Sequence, residues 1–351
     1  MSRMEFNVQL QSEAVSRSVK NLVDVGLQKV PEAYIRPENE RPTASPVYSE
    51  SIPVIDLHGF DDHNQSTVIN AMSKACEEWG FFQVINHGVP EGVIERMVKA
   101  HHMFLEQPEE EKSKYKAEGH EKPVLYGTGF TAKGQKVLEW RDFLMFIVAG
   151  TIDAQTLQHW PPVIRDSALE FVTEVRKLAI KLLSGLSECL GIPDILQSVM
   201  GYERLLLNYH PPCPNPDMTF GLSGHSDVGL ITVLLQDDVG GLQVSHNGRW
   251  VAVQPISNAF VINVGDALQV LSNGRFQSIE HRVVPNYNQA RISIPLFCAP
   301  ANSTIINPIP ELINEHNPSK YRSFTFGDYV AYFHNRPHSG KADNLAFARL
   351  D

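Results

Sequence analysis

The spacing of apolar and polar positions divides the chain into a helical first half and a strand-rich second half. In the first half, three stretches repeat apolar residues at intervals of three and four, which is the spacing of one helix face. These stretches are residues 65–79, 93–104 and 166–190. Between them, the short apolar runs at residues 52–57 and 81–85 predict strands.

The second half contains short apolar runs separated by turn residues, a pattern that predicts many short strands. The runs are residues 205–209, 230–236, 242–245, 250–253, 259–264 and 291–297. Asn247 and Gly248 separate two of them and tolerate the positive φ of a type I′ turn, so a hairpin is predicted there. Strands at this spacing predict a β-sandwich or a jelly roll, and helices packed on its outer face would give an α+β fold.

Composition excludes several classes of partner. The 351 residues include 30 Lys and Arg against 40 Asp and Glu, a formal net charge of −10, with no basic run. Such a chain is not suited to nucleic acid or to an anionic membrane surface. No apolar run reaches the length of a membrane span, and the polar N-terminal residues lack a signal-peptide core. The four cysteines show no paired spacing, which predicts reduced thiols and a cytoplasmic protein.

The candidate chemistry begins with His225 and Asp227, which lie two positions apart before a strongly apolar segment. In an extended strand residues i and i+2 face the same side, so this imidazole and carboxylate can bind one ion. His281, in a β-like run, is the candidate third ligand. Two histidines and one carboxylate leave coordination positions open, as in non-haem Fe(II) oxygenases rather than closed structural zinc sites. Taken separately, a His-x-Asp pair is common in loops, and a lone histidine at a strand end is more often a hydrogen-bonding residue.

Arg291 and Ser293 add a second feature ten positions beyond His281. Strand alternation places this guanidinium and this hydroxyl on one face, where together they suit a carboxylate. An arginine directed into an apolar barrel is unfavourable unless it meets an anion. The alternative for the pair by itself is a surface position on an edge strand.

These residues, in this order, resemble the plant soluble 2-oxoglutarate- and Fe(II)-dependent dioxygenases, and the resemblance extends over nearly the whole chain. Further segments typical of that family are residues 52–56, 79–88, 208–214, 234–237, 241–244 and 261–266. The resemblance implies a double-stranded β-helix, or jelly roll, with flanking helices mainly from the N-terminal half. We therefore predict a mainly helical region at residues 1–200, the jelly-roll core at residues 201–301 and a helical tail at residues 302–351.

The same resemblance implies roles for the site residues. The residues implied to bind Fe(II) are His225, Asp227 and His281. Those implied to bind 2-oxoglutarate are Arg291, Ser293, Asn208 and His210, the last of which replaces a second tyrosine of the family motif. The implied reaction converts 2-oxoglutarate and O₂ to succinate and CO₂ while a nearby substrate is hydroxylated, with ascorbate as the reductant.

An aromatic small-molecule substrate is expected beside this site. Phe297 lies four positions beyond Ser293 on the same face, where family members with flavonoid substrates often have an aromatic residue. Leu206 lies two positions before Asn208 and makes that wall apolar. The further pocket candidates, each with a place in the core as its alternative, are Phe143, Tyr126, Phe130 and Trp140.

Within the family the chain resembles the hydroxycinnamoyl-CoA ortho-hydroxylases. The segments that share this resemblance are residues 26–34, 138–142, 225–228, 265–269, 278–281 and 340–345. It implies ortho-hydroxylation of a hydroxycinnamoyl-CoA by a monomeric enzyme. Gly224 is a departure, because that subgroup usually has arginine immediately before the first iron ligand. The missing cation disfavours an anionic CoA thioester, so a flavonoid or other phenolic is the alternative substrate and Gly224 is a candidate specificity residue.

Two alternative functions are compatible with the same barrel. A non-catalytic small-molecule binder on the same barrel is disfavoured by the complete ligand set, and an ascorbate-driven oxidase would not require 2-oxoglutarate. Asp266, after a glycine, is predicted to be a turn residue. Residues 127–132 match the glycine pattern of a dinucleotide-binding motif, but they follow no clear strand, so a loop is predicted there.

Overall fold

The helices of the first half pack on one face of a large sheet. The computed structural model describes residues 18–42, 50–60, 65–116, 123–129, 137–150, 152–335 and 344–350. Its α-helices are α1 (Val19–Asp24), α2 (Gln65–Glu78), α3 (Glu91–Leu105), α4 (Glu109–Ser113), α5 (Ala154–Leu157), α6 (Arg165–Leu190), α7 (Leu196–Val199), α8 (Asp266–Leu271) and α9 (Phe326–His334). Short 3₁₀ helices cover Glu32–Tyr34, Glu38–Glu40 and Pro310–Leu312. The three long helices predicted from periodicity are confirmed as α2, α3 and α6.

The strands form two main sheets. They are β1 (Val54–Asp56), β2 (Phe81–Ile85), β3 (Val124–Thr128), β4 (Asp142–Ala149), β5 (Met200–His210), β6 (Leu222–His225), β7 (Ile231–Gln236), β8 (Leu242–His246), β9 (Arg249–Ala252), β10 (Phe260–Val264), β11 (His281–Val283), β12 (Arg291–Pro300), β13 (Ile305–Ile306) and β14 (Phe324–Thr325). The larger sheet has the order β1-β2-β10-β7-β12-β5-β4-β3, and the smaller has the order β6-β11-β8-β9. The predicted α+β fold with a jelly-roll core and flanking helices is confirmed.

Strand alternation gives the large sheet a core face and an interior face. Leu205 and Leu207 of β5, with Ile294 and Leu296 of β12, are buried in the main core together with residues of helix α6. The alternate residues of both strands therefore face the interior of the jelly roll. Because β5 and β12 pair antiparallel with Ser293 opposite Asn208, the predicted cosubstrate residues come together on that interior face.

Helix α6 supports the core face of the sheet. It contributes thirteen buried residues, Leu182, Leu183 and Leu186 among them. Gly191 follows its last residue and caps it, with a φ of 69° in the left-handed conformation that favours glycine. At Gly185, a Cβ atom would lie 2.7 Å from Cζ of Phe60, so the small residue allows close packing. The site strands thus rest on a densely packed layer.

The hairpin predicted at residues 247–248 is confirmed. Asn247 has a φ of 50° and Gly248 has a φ of 72°, as a type I′ turn requires. His246 pairs with Arg249 across this two-residue connection between β8 and β9.

Two strands before residue 200 were not predicted. Residues 127–132 were predicted as a loop, but Gly127 and Thr128 belong to β3, which pairs with β4. Strand β4 in turn pairs with β5, so four strands from the first half complete the large sheet. Strand β5 begins at Met200, the last residue of the region that was predicted to be mainly helical. Among the residues that the structure describes, no helix combines the length and apolar character that a bilayer crossing would need.

Candidate active site

The three predicted ligand residues meet where the smaller sheet faces the larger one. His225 ends β6, His281 begins β11, and the two residues are paired in register. Asp227 Oδ1 lies 3.7 Å from His225 Nε2 and 3.8 Å from His281 Nε2. The expectation that His225 and Asp227 share one strand was wrong, because β6 ends at His225. Asp227 is held instead by its backbone oxygen, which accepts a hydrogen bond of 2.7 Å from the backbone N–H of Asp266.

This geometry fits one small divalent ion. The ligand atoms of all three residues lie within 4.8 Å of one another, with Asp227 and His281 buried and His225 largely buried. Two donors that each lie about 2.1 Å from an ion are at most about 4.2 Å apart. The two distances to the Asp227 carboxylate are within that limit.

Backbone carbonyls fix the orientation of both imidazoles. Nδ1 of His225 lies 2.8 Å from the carbonyl oxygen of Ser223, and Nδ1 of His281 lies 3.2 Å from that of Ile279. A carbonyl only accepts, so each Nδ1 bears the hydrogen and each Nε2 keeps its lone pair for a metal.

Two residues that sequence reasoning missed orient the Asp227 carboxylate. Its Oδ2 accepts hydrogen bonds from Thr232 Oγ1 at 2.6 Å and from Asn263 Nδ2 at 2.7 Å. Thr232 and Asn263 lie directly opposite each other on β7 and β10. With Oδ2 occupied, Oδ1 is left to face the two imidazoles. The sequence did offer one signal for Asn263, because it lies within residues 261–266, a segment typical of the family.

Arg291 lies beside this cluster as a buried cation. It is 1% exposed, donating from Nη1 to Ser293 Oγ and from Nη2 to Gln236 Oε1, both at 3.1 Å. Burial lowers the pKa of Arg291 to about 10, although the charge of Asp237 acts in the opposite direction. Nε has no hydrogen-bond partner among the described residues. A guanidinium in this state is suited to an anionic ligand.

His210 faces the same space from the paired strand. It lies opposite Arg291 in the register, and neither of its buried ring nitrogens has a partner among the described residues. Burial lowers the pKa of His210 well below its usual value, and the positive charges of Arg291 and Arg141 act in the same direction, whereas the backbone groups of Arg291 and Gly221 beside the ring act in the opposite direction. The ring is therefore neutral and has one donor and one acceptor for a ligand. Gly221 packs on this ring, since a Cβ there would lie 2.4 Å from His210 Cδ2.

Asn208 connects the cosubstrate residues to an arginine that was not predicted. Its Oδ1 accepts from Arg141 Nη1 at 3.1 Å, and its Nδ2 lies 3.5 Å from Ser293 Oγ. Asn208 and Ser293 are opposite one another on β5 and β12.

A cavity of about 180 Å³ adjoins the ligand cluster. Among the predicted pocket residues, Phe297, Leu206 and Phe143 line it. The other lining residues include Leu125, Arg141, Met145, Tyr202, Arg204, Leu222, Phe333 and His334. A smaller space of about 50 Å³ joins the ligand residues to Arg291, and Arg141 lines both spaces. The arrangement can hold an ion, a dicarboxylic acid and an adjacent ring.

Two of the aromatic pocket candidates lie in the core. Tyr126 is 2% exposed with its ring centroid 5.7 Å from that of Phe104, because the residue of β3 that faces the cavity is its neighbour Leu125. Trp140 is fully buried and donates from Nε1 to the carbonyl of Pro211 at 3.1 Å. Phe130 lies outside the described residues.

Gly224 lines neither space. A Cβ at Gly224 would lie 2.4 Å from Oε1 of Glu280, so a larger residue would displace that carboxylate. Arg204 and Met145, by contrast, line the cavity and were missed, although Arg204 shares the alternating face of Leu206 and Asn208.

The prediction that Asp266 is a turn residue was wrong. Asp266 is the first residue of α8 and is fully buried. Its carboxylate accepts hydrogen bonds from Ser226 Oγ at 2.9 Å, Ser278 Oγ at 2.7 Å and the hydroxyl of Tyr329 at 2.7 Å. Both ligand segments and helix α9 are therefore tied to one carboxylate.

Comparison with known proteins identifies two matching family models. Residues 202–300 match the 2OG-Fe(II) oxygenase superfamily, and residues 52–163 match the N-terminal model described as non-haem dioxygenase in morphine synthesis. The first match covers nearly all of strands β5 to β12, the second covers β1 to β4 with helices α2 to α5, and helix α6 lies between the two.

Similar proteins of known name align over nearly the full chain. A feruloyl CoA ortho-hydroxylase of Ipomoea batatas is 42% identical over 95% of this chain and 94% of its own length. Feruloyl CoA ortho-hydroxylase 2 of Arabidopsis thaliana is 43% identical over 95% and 93%. Scopoletin 8-hydroxylase of Arabidopsis thaliana is 39% identical over 95% and 94%. Among solved structures, JOX2 in complex with 2OG, Fe and JA is similar with a TM-score of 0.83 and 33% identity, over 95% of this chain and 98% of that one.

Proposed function

The chain belongs to the 2OG-Fe(II) oxygenase superfamily and is a 2-oxoglutarate-dependent dioxygenase that uses Fe(II), and on this premise we propose that it hydroxylates a phenylpropanoid-type aromatic substrate. The leading reaction is ortho-hydroxylation of a hydroxycinnamoyl-CoA. The names of relatives that act on feruloyl CoA and on scopoletin support this substrate class. The observation that carries the proposal is the ring-lined cavity beside the His225, Asp227 and His281 cluster.

We propose that His225, Asp227 and His281 hold Fe(II). When bound, Fe(II) and 2-oxoglutarate supply the oxidative chemistry, in which decarboxylation of the cosubstrate to succinate and CO₂ uses one atom of O₂ and hydroxylation of the substrate uses the other. Thr232 and Asn263 keep the Asp227 carboxylate in a single orientation throughout, since both donate to its Oδ2.

Arg291 and Ser293 are proposed to bind the distal carboxylate of 2-oxoglutarate. The orphan Nε of Arg291 and the orphan ring nitrogens of His210 support this role, as judged over the described residues. A neutral imidazole at position 210 can donate one hydrogen bond to the cosubstrate, as the tyrosine of the family motif would. Asn208 is proposed to contact the cosubstrate from the same strand.

The aromatic ring of the substrate is proposed to lie against Phe297, Leu206 and Phe143. Their side chains give this cavity an apolar wall that excludes water and can stack on a ring. We further propose that ascorbate maintains the reduced iron and that the enzyme is a cytoplasmic monomer.

A neutral flavonoid or other phenolic is the second candidate substrate. It is favoured by position 224, where glycine adjoins the carboxylate of Glu280 and supplies no cation beside His225.

The proposal is tested by mass spectrometry of reactions that contain Fe(II), ascorbate and 2-oxoglutarate. Feruloyl-CoA, p-coumaroyl-CoA, scopoletin and the flavanone naringenin are offered separately, and succinate is measured beside any product that has gained one oxygen atom. We expect equal amounts of succinate and hydroxylated phenylpropanoid. Asp227→Ala should abolish both, whereas the exposed Asp238→Ala should retain both. Hydroxylation of naringenin alone would favour the second candidate, and succinate formation by Asp227→Ala would contradict the proposed ligand set.

A further inference from the structure

Two arginines line the substrate cavity without an acidic partner among the described residues. Taking the location of the substrate from the proposed function, we infer that this cavity binds an anionic group of its aromatic substrate through an arginine: Arg141 for a carboxylate, or Arg204 for a CoA phosphate. The site therefore suits an aromatic acid or an anionic acyl conjugate. A neutral flavonoid or coumarin would leave the arginine charge of the cavity unpaired.

Arg141 is the buried member of the pair. It is 5% exposed, and among the described residues its side chain donates one hydrogen bond, from Nη1 to Asn208 Oδ1. Nε is buried and has no partner within the described part of the chain. Its guanidinium carbon lies 5.3 Å from the ring centroid of Phe143, so it stands over a wall of the substrate cavity.

Burial lowers the pKa of Arg141 and the charge of Glu139 acts in the opposite direction, but Glu139 is already paired with another arginine. It is 1% exposed, and its Oε1 lies 3.0 Å from Arg36 Nη2 in a buried ion pair. The same carboxylate also accepts from the backbone N–H of Ser223 at 2.8 Å and from its hydroxyl at 2.6 Å. Because Arg36 already neutralises Glu139, the charge of Arg141 is left to a ligand.

Arg204 lies toward the other end of the cavity. It is on β5 four residues before Asn208, on the same face, and at about 3.3 Å per residue the two Cα atoms are about 13 Å apart. Its Nε is buried without a partner among the described residues, and its guanidinium carbon lies 5.4 Å from the Tyr202 ring centroid. Leu206 lies between Arg204 and Asn208 on this face, so an apolar wall separates the two cations.

Charge balance shows why these two arginines remain for the substrate. In the proposed complex, the negative charges of Asp227 and of both carboxylates of 2-oxoglutarate are offset by the divalent ion and Arg291. Apart from Asp227, no carboxylate lines the substrate cavity in the described residues. The buried Arg141 and the partly buried Arg204 are then left without counter-ions, a state that an anionic substrate would relieve.

The anionic oxygens could belong to the carboxylate of a free aromatic acid or to the phosphates of a CoA thioester. Arg141 is too buried to meet a phosphate outside the cavity, whereas Arg204 is only partly buried. A free carboxylate should therefore depend on Arg141, and a CoA phosphate should depend on Arg204 alone.

The test is binding calorimetry on the enzyme loaded with Fe(II) and 2-oxoglutarate under anaerobic conditions, where no turnover occurs. The probes are ferulate, its neutral methyl ester and feruloyl-CoA. We expect an anionic probe to bind on the order of tenfold to a hundredfold more tightly than methyl ferulate. If ferulate is the tighter probe, Arg141→Gln should reduce the affinity ratio of ferulate to methyl ferulate toward one, and Arg141→Lys should retain part of it. If feruloyl-CoA is the tighter probe, Arg204→Gln should reduce the corresponding ratio. Arg249→Gln, which removes an exposed arginine paired with Glu50, is the matched control and should leave the ratio unchanged.

Each outcome decides the inference. Equal affinities for the charged and the neutral probes in every matched set, ferulate-based and phenylbutyrate-based, would overturn it. It would also be overturned if Arg141→Gln weakened only 2-oxoglutarate binding, measured on the same samples, and Arg204→Gln left the ratio unchanged, because neither arginine would then bind the anion of the substrate. A second matched pair, 4-phenylbutyrate and its methyl ester, separates the two proposals. If only this pair shows the charge preference, the phenylpropanoid assignment fails and the anion site stands; if neither pair shows it, the anion site fails.

Discussion

Thr232→Val isolates the contribution of one hydrogen bond to the metal site. Thr232 donates to Asp227 Oδ2 at 2.6 Å and is 3% exposed, so valine removes the hydroxyl in a buried position while keeping the branched shape. The substitution leaves the proposed ligand set intact and releases one of the two donors that orient the carboxylate. It therefore separates the orientation of a ligand from its presence.

The expected loss of metal affinity follows from the two donors. Replacing a residue that orients a metal ligand typically weakens metal binding by about tenfold to a hundredfold. Asn263 still donates to the same oxygen at 2.7 Å, which keeps the carboxylate partly oriented. The expected loss is thus at the lower end, about tenfold or about 1.4 kcal/mol. Thr232→Val combined with Asn263→Leu should approach a hundredfold, or exceed it if the two donors are coupled.

Anaerobic calorimetric titration of the metal-free protein with Fe(II) measures these losses directly. Thr219→Val is the matched control, because Thr219 is fully buried and its hydroxyl has no hydrogen-bond partner among the described residues. That control should bind Fe(II) as the parent does. Unchanged affinity in Thr232→Val, or a double variant no weaker than the single one, would refute the role assigned to these donors.

Three further predictions concern stability and the cosubstrate pocket. Burial lowers the pKa of His101 to about 3 from about 6.5 in the unfolded chain, so stability is lost as the pH falls below 6.5. Between about pH 7.5 and pH 5 the loss of stability against urea should be about 2 kcal/mol smaller in His101→Leu than in the parent. The exposed His102→Leu should keep most of the loss, because burial lowers the pKa of His101 more than the charge of His102 does. Asp266→Asn should lower the free energy of unfolding by about 2–4 kcal/mol in the same assay, because an amide cannot accept all three hydroxyl donors. Gly221→Ala should raise the KM for 2-oxoglutarate, because its Cβ would displace the His210 ring; an unchanged KM would count against that ring as a cosubstrate contact.

The sequence was most informative where one face of an element is buried and the other is not. Helices α2, α3 and α6 have a single apolar stripe, so their periodicity predicts both type and extent. Strand alternation likewise placed Arg291 with Ser293, and the structure brings both to Asn208. The convergence of His281 with His225 and Asp227 could not be read from local spacing. It depends on the pairing of β11 with β6, which is a property of the jelly-roll topology.

Strand β4 shows why part of the cavity could not be predicted. Residues 142–149 are almost entirely apolar, because Leu144 and Phe146 pack in the core while Phe143 and Met145 line the cavity. A short continuous apolar run has no periodicity that distinguishes a strand from a helix. Without β4, the position of Arg141 could not be inferred. The wrong assignment of Tyr126 has the same origin, since its face depends on a strand pairing that was not recognised.

A single strand register now relates cosubstrate binding to substrate binding. The interior face of β5 presents, in order, His210, Asn208, Leu206, Arg204 and Tyr202, and the paired face of β12 presents Arg291, Ser293, Pro295, Phe297 and Ala299. The first two pairs surround the proposed 2-oxoglutarate site and the later pairs line the substrate cavity. Because side chains alternate with a period of two, a shift of one residue would turn all of them toward the core at once. Substitutions at the Arg204 and Phe297 pair should therefore change substrate preference without altering the cosubstrate residues, whereas changes to the pairing itself would affect both.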